Sequence, residues 1–263
     1  MKTRTKWGIG AIAAVILVPI LLATAGVWIY INWIKDDAPA AFTLPPTESS
    51  VAGDATTTAT SDPTGTTAPP ATTTAGDTTD AGGTTDAGAD LDGTWVIGEG
   101  SQVGYRVTEV LFGQDTEGVG RTSDITGSIE LAGAQVTSGS FTVDMTTVES
   151  DESRRDNQFR GRLLDTTEFP TSTFTLTAPI ELGSVPSDGE QVTATATGEL
   201  TLRGVTQPVT FDVQAQRNGD AIDIVGSTDV VFADYGIPQP DTGGITTQDH
   251  GLLEFSLVLT KSA

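Results

Sequence analysis

The sequence predicts an all-β, antiparallel domain, sandwich or barrel, with one short helix, preceded by an N-terminal transmembrane helix and a disordered linker. Three observations carry this. Period-two alternation of apolar and polar residues recurs from Gly93 to the C-terminus, the pattern of strands with one buried face. The run Trp7 to Ile34 has no charged side chain. Between these regions the composition collapses to Thr, Ala, Gly, Asp and Pro.

Residues 1–35 form the expected anchor. As a helix the uncharged run spans roughly 40 Å, enough to cross a ~30 Å hydrocarbon core with some tilt. Lys2, Arg4 and Lys6 precede it and Lys35-Asp36-Asp37 follow it, so the N-terminus is expected in the cytoplasm and the remainder outside. Trp28, Tyr30 and Trp33 suit the outer aromatic belt. The rival is a cleaved signal peptide ending near Ala23-Thr24-Ala25, but the apolar run continues through Ile31, which a signal peptide does not need. The expected location is the cell membrane, single-pass, with an extracytoplasmic C-terminal domain. Residues 36–92 read as a linker, since Thr78-Thr79-Asp80-Ala81-Gly82 recurs as Thr84-Thr85-Asp86-Ala87-Gly88 with no apolar face to stack. Its Thr- and Pro-rich character also resembles O-glycosylated stalks.

Residues 93–263 are the folded domain. Expected strands are Gly93 to Ile97, Tyr105 to Val107, Ile125 to Leu131, Phe141 to Met145, Thr173 to Ile180, Val192 to Leu202, Val209 to Val213, Ile222 to Ile224 and Leu253 to Leu259. The most explicit unit is the hairpin Gly198 to Val213, with Gly204 supplying a positive-φ turn and Pro208 expected at a strand start or bulge. Arg154 to Leu164 breaks the alternation with helical spacing. Ser153 or Asp151 is its expected cap and Gly161 the end of its first turn.

The net charge is −22, from 35 acidic and 13 basic residues. Nucleic acid is therefore not expected as a partner, because binding it needs a basic surface. There is no Cys, which removes disulfides, thiol nucleophiles and thiolate metal sites.

Two segments together resemble the YceI-like family: Arg155-Asp156, Phe159-Arg160, Leu164-Asp165, Glu168-Phe169-Pro170 and Thr173-Phe174, then Gly198-Glu199-Leu200-Thr201-Leu202-Arg203-Gly204-Val205-Thr206-Gln207-Pro208-Val209. Weaker echoes are Trp95-Val96-Ile97 with Ser101 and Val103, and Asp234-Tyr235-Gly236-Ile237. The resemblance spans about Thr94 to Thr260. It implies a lipocalin-like antiparallel barrel whose apolar cavity holds a polyisoprenoid or similar lipid. Two positions depart from the family, Gly98-Glu99-Gly100-Ser101 after the opening strand and Gln158 in the helix, both where a head group is expected.

The expected function is lipid binding by a membrane-tethered, extracytoplasmic module, without enzymatic activity or a cofactor other than the bound polyisoprenoid or quinone-like lipid. The alternative is a structural or interaction barrel contacting cell-envelope components. Candidate cavity-wall residues are Tyr105, Phe141, Val143, Phe174, Leu176, Leu200, Leu202, Val209 and Phe211. Arg155 and Arg160 are candidate head-group contacts, set against a reading in which they pin the helical segment through ion pairs and hydrogen bonds. His250, beside Asp249, reads as a turn histidine rather than a catalytic one, since no nucleophile-elbow pattern accompanies it. Glu149-Ser150-Asp151-Glu152 lacks EF-hand spacing and reads as a solvated loop before the helix, so no metal site is expected.

Overall fold

The computed structural model describes residues 38–46, 91–111, 113–240 and 245–262. The strands are β1 (Gly93–Ile97), β2 (Gln102–Leu111), β3 (Gln114–Thr122), β4 (Ile125–Ala132), β5 (Gln135–Asp144), β6 (Glu149–Ser150), β7 (Thr171–Leu176), β8 (Ile180–Glu181), β9 (Gln191–Leu202), β10 (Val205–Asn218), β11 (Ala221–Val231), β12 (Ile245–Thr247) and β13 (His250–Lys261). Between β6 and β7 lie helix α1 (Ser153–Gln158) and a π-helical turn, Phe159–Leu163.

An eight-stranded antiparallel barrel closes in the order β1-β4-β5-β7-β9-β10-β11-β13 and back to β1. The closing strand β13 serves two partners on one side: Leu259 to Lys261 pair with β1 and Leu252 to Ser256 pair with β2. β1 and β2 thus lie end to end along it, and β3 extends the wall beyond β2. Closure removes the free edges of these eight strands; β3 keeps an outer edge that β6 covers only at Gly120 and Arg121.

The β9–β10 hairpin is a two-residue turn in which Leu202 pairs with Val205. Both Arg203 (φ 47) and Gly204 (φ 72) are left-handed, the type I′ geometry whose twist suits a hairpin. Pro208 lies inside β10 opposite Glu199, not at the expected strand start or bulge. Counting outward from the turn, its nitrogen points away from β9. On that side β10 meets β11 only from Val213 onward, so no ladder bond is lost.

Other differences have local causes. The strand expected to run from Thr173 to Ile180 stops at Leu176 and resumes at Ile180; Pro179 between them has no N–H for the ladder. Met145 belongs to a 3-10 turn capped by the Asp144 carboxylate, which accepts from the Thr146 amide at 2.9 Å. β3 was not expected, because Gln114 to Thr122 has no apolar alternation. The α1 cap is Glu152, whose side chain accepts from the Arg154 amide, rather than Ser153 or Asp151. Gly161 lies within the π turn, which the left-handed Asp165 (φ 48) follows.

Apolar clusters occupy the two ends of the barrel. Leu91, Trp95, Ile129, Leu131, Val136, Ile222 and Leu259 pack at one end, where the Trp95 indole N–H donates to the Leu91 carbonyl at 2.8 Å. Phe159 and Leu164 pack with Leu200, Leu202, Val230, Phe232 and Tyr235 at the other. Leu91 and residues 38–46, which the sequence assigns to the linker, make contacts with the barrel. Among the described residues no helix is long and apolar enough to cross a membrane; the predicted anchor, and linker residues 36–37 and 47–90, lie outside them.

Candidate functional site

Between the two end clusters lies a cavity of about 140 Å³, roughly ten times the space one buried water needs. Alternation along the strands builds it. β9 contributes Val192, Ala194, Ala196 and Leu200; β10 contributes Val209, Phe211, Val213 and Ala215; β13 contributes Leu253, Phe255 and Leu257. Among the described residues no charged side chain lines it, and the Ser172 hydroxyl at its wall already donates to the Thr201 carbonyl at 2.9 Å. A space of this size and lining stays dry and accepts apolar matter.

Aromatic rings shape the lumen. Phe174, Phe211 and Phe255 form a chain, with centroids 5.4 and 5.8 Å apart in tilted and edge-on contacts, the arrangements aromatic quadrupoles prefer. Phe255 and Phe141 lie across the wall from Gly226 and Gly127, their direct strand partners. A Cβ at Gly226 would come within 2.5 Å of the Phe255 ring. These glycines let the rings lie against the wall.

Of the wall residues expected from sequence, Phe141, Val143, Phe174, Leu176, Leu200, Val209 and Phe211 line the cavity. Tyr105 and Leu202 do not. Leu202 is buried in the end cluster, and Tyr105 stacks on Phe159 at 5.0 Å, with an interplanar angle of 13°, plugging that end. The alanines Ala194, Ala196 and Ala215 were missed; for the first two the signal was the Thr-Ala alternation of β9, and for Ala215 its place between Gln214 and Gln216 on β10, small residues on the inward face.

The two candidate head-group arginines already have protein partners. Arg155 pairs with Glu109 at 3.3 Å and with Asp151. Arg160 donates to the Val148 carbonyl at 3.0 Å. This is the geometry of pinning: Asp156, the buried residue of α1, accepts from the amide and hydroxyl of Ser150 at 2.9 and 2.6 Å. The positions that depart from the family pattern lie outside the cavity as well. Ser101 is buried and latches the β1–β2 corner, donating to the Gly98 carbonyl and accepting from the Val258 amide, each at 2.9 Å. Gln158 sits with Arg154, Asn157 and Arg162 at a surface recess. His250 starts β13 on the side away from the lumen, 2.8 Å from Asp249, whose carboxyl this hydrogen bond holds below its ordinary range. In the acidic run, Glu152 caps α1 and Asp151 pairs with Arg155. Among the described residues no group of three His, Cys, Asp or Glu is placed to hold a metal ion.

Residues 95–259 match the YceI-like domain family. The chain belongs to that family. Relatives of this YceI-like chain include Protein YceI of Shigella flexneri, 39% identical over 80 residues, which are 30% of this chain and 38% of the relative. A UPF0312 protein of Shewanella denitrificans is 32% identical over 130 residues, 45% of this chain and 63% of the relative. Both alignments cover less than two thirds of the relative's length. The solved structure of a polyisoprenoid binding domain from Saccharophagus degradans, implicated in plant cell wall breakdown, matches with a TM-score of 0.53 at 17% identity, covering 65% of this chain and 99% of that one. At that identity the likeness establishes the fold.

The plug of this YceI-like barrel has a pH signature. Burial pushes the Tyr105 phenol well above its ordinary value; the nearby Arg155 opposes this without cancelling it. A folded pKa above the unfolded one of about 10 favours the neutral phenol, so its stabilisation is complete below about pH 10 and is lost as pH rises through the folded value. Melting curves between about pH 9 and 11 are expected to show a steeper loss for the wild type than for Tyr105→Phe. Equal slopes would show that Tyr105 does not carry the effect.

Proposed function

We propose that the YceI-like barrel shields one slim apolar chain, of polyisoprenoid or quinone-like type, from water, and that it does so outside the cytoplasm on a membrane anchor formed by residues 7–34. The observation that carries the lipid reading is the lumen, a hollow lined mostly by apolar side chains with no charged group among the described residues. Affinity then comes from burial. At ~0.8 kcal/mol per CH₂ removed from water, a few isoprene units supply strong binding without a polar contact. The name of the Saccharophagus relative, a polyisoprenoid binding domain, supports the same ligand class. The anchor and its orientation rest on the uncharged run and on Lys2, Arg4 and Lys6 before it. The rival reading, a barrel serving as a contact surface, has less support: Val185 and Val231 are the large apolar side chains exposed among the described residues, and they lie on separate elements.

Mass spectrometry of organic extracts from the purified protein is the test, paired with Ala194→Phe, which places a ring in the lumen. The wild type is expected to release or take up a polyprenyl or quinone lipid. The variant should keep its circular dichroism and bind at least about tenfold less, the change expected when occupied volume replaces ligand volume. A wild type that carries no lipid and takes up no added polyprenol or quinone sinks the proposal.

A further inference from the structure

The outer wall of β13, β2 and β3 holds a buried charge cluster that the lumen does not explain. Leu253 and Phe255 point into the cavity, so Glu254 between them faces outward. Its side chain is nevertheless only 3% exposed. Arg106 reaches it at 3.3 Å from β2 and Arg121 at 2.8 Å from β3. Gly104, which opposes both Glu254 and Arg121, makes the crossing possible: a Cβ there would sit 2.8 Å from the Arg121 side chain and 2.2 Å from the Gly120 carbonyl oxygen.

The same two guanidiniums hold a second set of partners. Arg106 donates to the Pro39 carbonyl at 2.6 Å and Arg121 to the Ala40 carbonyl at 2.5 Å. Arg121 also lies 4.0 Å from the centroid of the Phe42 ring, a cation–π contact. Along 38–46, Phe42 and Leu44 are half-buried while Thr43, Pro45 and Pro46 are exposed. Pro39, Ala40 and Ala41 are exposed too, so the burial of this segment is concentrated at Ala38, Phe42 and Leu44. Val119, facing outward opposite Arg106, is buried on the same wall.

We propose that this wall is a docking site whose occupant is the chain's own Ala38–Pro46 segment, so that residues 47–90 leave and return to the same barrel instead of spacing it from what precedes residue 38. Taken with the anchor proposed above, on which this consequence rests, the strap decides how far the cavity stands from the bilayer. Ile34 and Ala38 are joined by at most about 14 Å of extended chain. A free linker over 36–92 would have a root-mean-square reach on the order of 40 Å. A docked strap therefore sets the barrel at the membrane surface, where an apolar chain passes between bilayer and lumen over a short path.

Thiol labelling of the full chain in detergent tests the docking itself. Leu44→Cys, at a half-buried strap position, is expected to react with a maleimide at least about fivefold more slowly than Thr57→Cys in the linker. The strap variant Phe42→Ser should abolish this protection while the barrel keeps its circular dichroism. Labelling at position 44 as fast as at position 57 overturns the proposal. For the consequence, the chain has no Cys, so Thr137→Cys on β5 gives a single dye site for energy transfer to acceptor head-group lipids in nanodiscs. Transfer should fall in the strap variant; unchanged transfer despite lost protection overturns the membrane placement. Neither readout depends on a bound lipid. A protein that protects the strap yet does not enter nanodiscs refutes the anchor and leaves the docking site standing.

Discussion

Glu254→Ala is expected to destabilise the domain by about 3 kcal/mol, from the mechanism of a broken buried ion pair. The carboxylate compensates Arg106 and Arg121 at once. Burial of Arg106 lowers its pKa, but Glu254 and then Glu117 raise it further, for a net upward shift. Removing Glu254 leaves two guanidiniums that together keep one carboxylate, Glu117, and the strap carbonyls. The range for such losses is about 3–5 kcal/mol. The low end applies here, because the two arginine side chains stay 13% and 21% exposed and keep some hydration. Glu254→Gln, which preserves an acceptor, should lose about half as much. Urea unfolding at neutral pH measures both; a loss under about 1 kcal/mol for the alanine variant would place the pair among surface ion pairs of little consequence. Arg106–Glu117 is such a pair, since Glu117 is 46% exposed.

Leu259→Ala should cost about as much by a different route. Leu259 has no exposed surface and stands at the barrel's closing seam, opposite Ile97 of β1 and Ile222 of β11. Truncation removes its burial and leaves a void among Trp95, Ile129 and Leu131, a combination worth about 3–4 kcal/mol in a rigid site. For a domain of this size that lowers the melting temperature by roughly 10 °C. Leu259→Met, which keeps the volume, should lose less than about 1.5 kcal/mol. If the alanine variant melts within about 2 °C of the wild type, the seam relaxes around the gap and Leu259 is not what holds it.

The sequence was most legible where the chain's information is local. Turn chemistry placed a hairpin around Gly204, and alternation selected Phe141, Val143, Phe174, Leu176, Leu200, Val209 and Phe211 as inward-facing, which the cavity lining matches. The same rule selected Leu202 and Tyr105, which pack in the cluster at one end of the barrel. Period two reports the face of a strand and not the height along the barrel axis at which the face is plugged. It was silent on β3, whose polar residues pair with β2 because β2 supplies the register.

By itself, then, the sequence determined the all-β class, the β9–β10 hairpin and its turn, the inward face of each patterned strand and membership of the YceI-like family. Only the tertiary structure decided that the barrel is hollow. Inward apolar residues describe a filled core as well as a lined cavity, and the difference lies in how far opposite walls stand apart. The tertiary structure also set the partners of the charges. Arg155 and Arg160 went to pinning partners, while Arg106, Arg121 and Glu254, drawn from three distant stretches of chain, met under a segment that composition alone would leave free. Their attraction depends on distances that appear only when the sheet closes.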